Sequence, residues 1–183
     1  MKRILFVTND FLPMIGGVAN HVANLALALT RLGCEVKVLH ICYDERFLSE
    51  KSFSEFEVIR VAAGRSLAGK TSFFAKVSRY FYSMTLGAEK LRELICSFEP
   101  DVIHWHDYYH SSLTTKLVRK RSCILICTNH ASRFLEQIEN GKFIRYILKF
   151  LVSHAHGIIG TSTELAEKSK FTKKIVRFIP NGV

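Results

Sequence analysis

Residues 2–33 read KRILFVTNDFLPMIGGVANHVANLALALTRLG, and the order of periods in this stretch decides the fold. Residues 2–8 are apolar and β-branched, as in a buried strand. Residues 9–15 form a loop, with Pro13 opposing any helix. From Val18 the spacing changes: Val18, Val22, Leu25, Ala26, Leu29 and Leu32 recur on one helical face. Gly33 closes that helix, because glycine enters the left-handed C′ conformation without steric cost. Gly16 and Gly17 therefore stand at a helix N-terminus, where free N–H groups and the positive end of the dipole favour an anion. Lacking a Cβ, they admit a ligand close to the backbone, and a phosphate suits such a place. The competing reading is a tight strand-to-helix turn. Neither G-x-G-x-x-G nor G-x-x-x-x-G-K-[ST] occurs here, so the glycine pair alone does not choose between them.

Outward from this unit, strand-like and helix-like runs alternate. Strands are expected at 35–42, 56–62, 101–105, 122–128, 157–160 and 174–179. Helices are expected at about 71–98, 109–120, 142–153 and 162–170, with a short helical piece near 133–139. This βαβα order predicts one α/β, Rossmann-like domain over 1–183, a mostly parallel sheet of about seven strands with helices on both faces. In such sheets ligands sit at the carboxyl ends of the strands. The informative polar residues fall in just those loops.

The fourth strand ends His104-Trp105-His106-Asp107. Alternation puts both histidines on one side, His106 at the tip and His104 one step deeper as a structural residue. A tip imidazole can hydrogen-bond a sugar hydroxyl or polarise a leaving group, or it is simply a surface histidine. The fifth strand runs out in Thr128-Asn129-His130 and the sixth in Thr161-Ser162-Thr163-Glu164. Ser162 or Thr163 can cap the next helix, which by itself accounts for the hydroxyl. Asn9 and Asp107 stand in the same strand-end loops and complete the candidate cleft with His130 and Ser162. The pairs His104/His106 and His154/His156 lack a partner cysteine or carboxylate at a known ligand interval and lie at opposite sheet ends, so no metal is expected. No G-x-S-x-G elbow supports a serine hydrolase.

The 183 residues suffice for one packed domain, and 48% apolar with 23% charged residues is ordinary for a globular chain. No secretory signal and no apolar run of spanning length is seen, and the five cysteines form no C-x-x-C. Reduced, mostly buried thiols in a cytoplasmic protein are the expectation. The net charge of +10 favours anionic partners, but no nucleic-acid module is recognisable, so nucleic acid is not expected among them. Two runs, 70–82 (KTSFFAKVSRYFY) and 142–153 (KFIRYILKFLVS), mix basic and aromatic residues. Each reads either as an interfacial helix on anionic lipid or as a packed helix with a basic edge.

Six short motifs, in order, resemble the N-terminal domain of the family-4 retaining glycosyltransferases of GT-B fold. They are Pro13 with Gly16-Gly17-Val18, Leu32-Gly33-x-Glu35-Val36, Pro100-Asp101-Val102-Ile103-His104-x-His106, Thr128-x-His130, Gly157-Ile158-Ile159-Gly160-Thr161-Ser162 and Ile179-Pro180-Asn181-Gly182-Val183. The resemblance implies an acceptor-binding half of a nucleotide-sugar-dependent hexosyltransferase, with the donor held mainly by a second domain. It implies that Gly16 and Gly17 approach the donor diphosphate, that His106 contacts the donor sugar, and that His130 and Ser162 face the cleft. It implies retention of anomeric configuration, no metal cofactor, and a sugar or lipid-linked acceptor. The phosphate-clamping Arg/Lys pair and the E-x7-E segment of the second domain have no counterpart here, so an isolated half is expected to catalyse little. Cys34 departs from the histidine common after the helix-ending glycine. The alternative is a non-catalytic module binding an anionic ligand, a lipid head group or a protein.

Overall fold

A computed structural model describes residues 1–42, 48, 53–62, 73–107, 110–118, 122–130 and 141–181, apart from the side chains of 73–80, 82–83 and 142. The strands are β1 (Arg3–Thr8), β2 (Glu35–Cys42), β3 (Glu57–Ala62), β4 (Val102–His106), β5 (Ile124–Asn129), β6 (Gly157–Gly160) and β7 (Ile175–Phe178). The helices are α1 (Gly17–Arg31), α2 (Phe73–Phe98), α3 (His110–Leu117), α4 (Lys142–Leu151) and α5 (Thr163–Ser169). One sheet of order β3-β2-β1-β4-β5-β6-β7 holds all seven strands. Every pairing in it is parallel. The expected α/β Rossmann-like architecture is therefore present. The expected helical piece near 133–139 lies outside the described residues.

Alternation along β1 divides the core. Ile4 and Phe6 point to one face and pack with Val22, Ala23 and Ala26 of α1 and with Val36 and Val38 of β2. Leu5 and Val7 point to the other, where Leu91 and Ile95 of α2, Leu148 of α4 and Leu165 of α5 meet Leu39, Ile41, Trp105 and Ile158. Among the described helices α1 thus covers one face while α2, α4 and α5 pack on the other. Each fully buried large apolar side chain in these layers contributes roughly 1.5–3 kcal/mol by leaving water.

Gly33 behaves as expected. Its φ is +84°, its N–H donates to the Thr30 carbonyl and the Cys34 N–H donates to the Leu29 carbonyl. Those are the two bonds of a Schellman cap. Two expectations need correction. Cys96, read within an apolar helical run, is exposed on α2, whereas Cys42, Cys123 and Cys127 are buried. Strand β4 ends at His106 rather than Trp105, because Thr8 of β1 and Thr128 of β5 both extend far enough to pair with it.

Gly160 shows a packing role that differs from the glycine pair. A Cβ there would lie 2.6 Å from the Ala166 Cα, against the backbone of α5. Backbone cannot swing aside as a side chain can, so Gly160→Ala is expected to cost about 2 kcal/mol or more. Urea unfolding followed by circular dichroism measures this, and an unchanged midpoint would remove the packing argument.

Candidate active site

The carboxyl ends of β1, β4, β5 and β6 share one edge of the molecule with the first turns of α1, α3 and α5. The loop after β1 is tied down on several sides. Phe11 is buried and contacts the rings of Phe53 and Phe56 edge-on. Arg60 donates to the Leu12 carbonyl, and His40 Nε2 lies 3.2 Å from the Asn9 carbonyl. Asp10 and Pro13 of the loop are exposed, and so is its whole last part, Ile15, Gly16 and Gly17.

The start of α1 carries no side-chain cap, like that of α4, whose N-cap is Gly141, and unlike those of α3 and α5. Gly16 is the N-cap with extended backbone, no side chain caps the helix, and no acid stands in the first turn. By contrast Ser162 Oγ accepts from the Leu165 N–H at the start of α5, with Glu164 in the first turn. The Asp107 carboxylate accepts from the Ser111 N–H at the start of α3. Glycine is an acceptable N-cap, so the missing side-chain cap costs α1 only about a few tenths of a kcal/mol. Neither Gly16 nor Gly17 has a left-handed φ, and a Cβ on either would meet open space. The turn itself therefore does not require glycine at these positions, which weakens the tight-turn reading.

One helical turn after Gly17, His21 brings its ring against the histidines at the strand ends. His21 lies 4.9 Å from His130 and 5.7 Å from His106 between ring centroids. His106 stacks on His104 at 4.4 Å, and its Nδ1 is 3.0 Å from His130 Nε2. His104 Nε2 is 2.6 Å from Thr128 Oγ1, consistent with a structural task. His106 Nε2 and His130 Nδ1 are buried with no hydrogen-bond partner among the described residues.

Desolvation holds this cluster neutral. It lowers His104 to about 3 and His130 to about 4, and lowers His21. His106 is lowered well below the ordinary imidazole value, by burial first and by its histidine neighbours second. Neutral imidazoles each carry one donor and one acceptor, which suits sugar hydroxyls. A bound diphosphate would pull their pKa values upward again by supplying opposite charge.

The sequence-predicted residues divide into two groups. Gly16, Gly17, His106 and His130 belong to one neighbourhood, bridged by His21. His106 is not a free tip as expected: it is 2% exposed, because β4 includes it and His21 and His130 stand over it. Asn9 is buried; Nδ2 donates to the Ile41 carbonyl and meets His110 Nδ1, while Oδ1 accepts from Ser111 Oγ. Its side chain thus fastens β1 to α3. Asp107 and Ser162 cap helices, although the Ser162 hydroxyl hydrogen remains able to donate. His21 is the residue that sequence reasoning missed. Its signal was a polar residue four positions after Gly17 on the face that carries Val18 and Val22.

One nitrogen each of His21, His106 and His130 lies within 4.8 Å of the others, a spacing a single transition ion could bridge. His154 and His156 are elsewhere: His154 stacks on Trp105, and His156 Nδ1 accepts from the Leu125 N–H near the start of β5. Beside the cluster, His21, Leu25 and Leu29 of α1 face His104, Ile126 and Ile159 of the sheet across a groove of about 700 Å³. No described helix is long and apolar enough to cross a membrane.

The fold recurs in solved structures at low identity. A sucrose-phosphate synthase from Thermosynechococcus elongatus superposes with a TM-score of 0.73 at 17% identity, over 100% of this chain and 49% of that one. The catalytic domain of starch synthase IV from Arabidopsis thaliana, bound to ADP and acarbose, gives 0.65 at 14%, over 100% and 52%. The lipopolysaccharide outer core galactosyltransferase WaaB in its apo form gives 0.62 at 14%, over 99% and 46%. The chain spans about half the length of each. No curated protein matches it at a significant level. The profile of Glycosyltransferase Family 4 matches residues 15–183. That stretch runs from the glycine pair through the histidine cluster to the last residue, and the chain belongs to glycosyltransferase family 4.

Proposed function

We propose that this chain is the acceptor-side half of a retaining, nucleotide-sugar-dependent hexosyltransferase that works with a second, donor-binding domain. The product would be a polysaccharide, glycolipid or other glycoconjugate. The observation that carries the reading is the uncapped start of α1, with two glycines that the backbone does not require, one turn from a neutral imidazole cluster. In this reading the N–H groups beyond Gly16 and Gly17 receive the donor diphosphate. His106 and His130 hydrogen-bond the donor sugar, and the departing phosphate accepts the acceptor proton on the face that retains configuration. Ser162 reaches the rim as a donor. No resident metal ion is needed, because the fixed N–H donors and the dipole supply the positive potential.

Gly17→Leu separates this from a purely structural glycine. Leucine is the better helix former and its Cβ meets open space, so stability is expected to hold or rise. In a protein carrying both domains, KM for the donor is expected to rise about tenfold or more as the side chain covers the N–H groups. Transfer assays over a panel of nucleotide sugars, with and without a chelator, provide the measurement. Loss of activity on chelation would assign His21, His106 and His130 to a metal instead. Binding of an anionic ligand with no turnover in any donor would favour a non-catalytic module.

A further inference from the structure

Helix α4 exposes more apolar surface than the core takes up. Leu148 and Leu151 are buried, and Ile144 packs against the core that holds Leu148. Yet Phe143, Tyr146 and Phe150 are 74%, 71% and 53% exposed, and Ile147 is exposed as well. These four positions fall at i, i+3, i+4 and i+7, so they form one stripe along the helix. Isolated exposed apolar residues are ordinary, but a contiguous aromatic stripe indicates contact with something else.

Among the described residues, the charges noted beside the stripe are all positive. Arg145 and Lys149 are exposed on the same helix. Lys116 Nζ sits 4.0 Å over the Phe150 ring and donates to the Phe150 carbonyl, and Lys174 Nζ donates to the Ser153 carbonyl. No Asp or Glu occurs between residues 141 and 163, within a chain of net charge +10. A partner must be apolar at the level of the rings and anionic at the level of the cations. A bilayer interface rich in anionic phospholipid has that layering. The run 70–82 lends nothing either way, since nearly all its side chains lie outside the described ones.

We propose that α4 docks flat on an anionic bilayer, with Phe143, Tyr146 and Phe150 below the headgroups and Arg145, Lys149 and Lys116 among the phosphates. Because α4 connects the carboxyl end of β5 to the start of β6, its first turn lies at the sheet end that holds His106 and His130. Docking therefore brings the candidate site close to the membrane surface. The proposal stands independently of the transferase reading.

Vesicle cosedimentation tests it directly. The chain is expected to sediment with vesicles of one-third phosphatidylglycerol in phosphatidylcholine, less with phosphatidylcholine alone, and less as salt rises. The triple variant Phe143→Ser, Tyr146→Ser, Phe150→Ser is expected to lose binding about tenfold or more, with its circular dichroism spectrum retained. Phe143→Trp supplies a second reading that does not depend on the triple variant folding. Trp105 is the only native tryptophan and is buried, so a blue shift on adding vesicles reports residue 143. No sedimentation of the wild type, triple-variant binding equal to it, or no blue shift would overturn the proposal. So would a wild-type dimer that the triple variant splits, which would make the stripe a contact between copies.

Discussion

In the proposed two-domain transferase, His106→Ala is expected to lower kcat by about 10²–10³ while the protein stays folded. The side chain is buried, neutral and paired to His130, with its Nε2 unpartnered among the described residues. A buried polar nitrogen without a partner is costly, commonly by 1–3 kcal/mol, unless a ligand completes it. A sugar hydroxyl would do so, and the bond would strengthen as positive charge builds on the sugar ring and acidifies its hydroxyls. The loss should therefore appear in kcat more than in donor KM. The replacement also removes ring contacts with Phe6 and His104, so a lower thermal midpoint is expected alongside. Equal kcat in the folded variant and wild type would show that His106 only packs.

Mild acid should destabilise the domain steeply. His40, His104 and His130 are held at about 4, 3 and 4, and His106 lower than the ordinary value, all chiefly by desolvation. In the unfolded chain each imidazole titrates near 6.5. Above that pH neither state binds the proton and stability is level. Between 6.5 and about 4 the unfolded chain takes up protons that the folded chain refuses, so stability falls as pH falls. Each such histidine contributes up to about 1.4 kcal/mol per pH unit, and together the four amount to roughly 8 kcal/mol by pH 5. That approaches the whole stability of many domains. Urea unfolding at pH 7.5, 6 and 5 measures it. A flat profile would mean that the imidazoles are hydrated and free to charge. His104→Gln should remove about one proton's share of the slope, and saturating diphosphate should make it shallower by raising the folded pKa values.

Much of this architecture is legible in local sequence. The switch of period at Val18, the glycine stop at Gly33 and the Gly157–Gly160 strand are set by neighbours in the chain, and the structure places them where the pattern does. What local pattern misses is set at long range. His106 becomes part of β4 because β1 and β5 are long enough to pair with it, which no residue near His106 announces. Its burial follows from that pairing and from His21 of α1, whose ring lies against His106 and His130. Asn9, Asp107 and Ser162 are polar residues in the expected loops, yet helix starts engage all three, and loop position alone cannot distinguish a cap from a ligand contact. The glycine pair is the reverse case: its sequence signal was equivocal, and only its unremarkable φ and open surroundings separate access from turn geometry.

The most direct test of the central claim, that the start of α1 and the histidine cluster form one anion and sugar site, is a ¹H–¹⁵N NMR titration of this chain with pyrophosphate and then UDP, GDP and ADP. The account predicts weak, saturable shifts concentrated at the amides of Gly16, Gly17 and Val18 and at the rings of His21, His106 and His130, lost in Gly17→Leu. Shifts confined to the exposed lysines, or none at all at millimolar ligand, would contradict it.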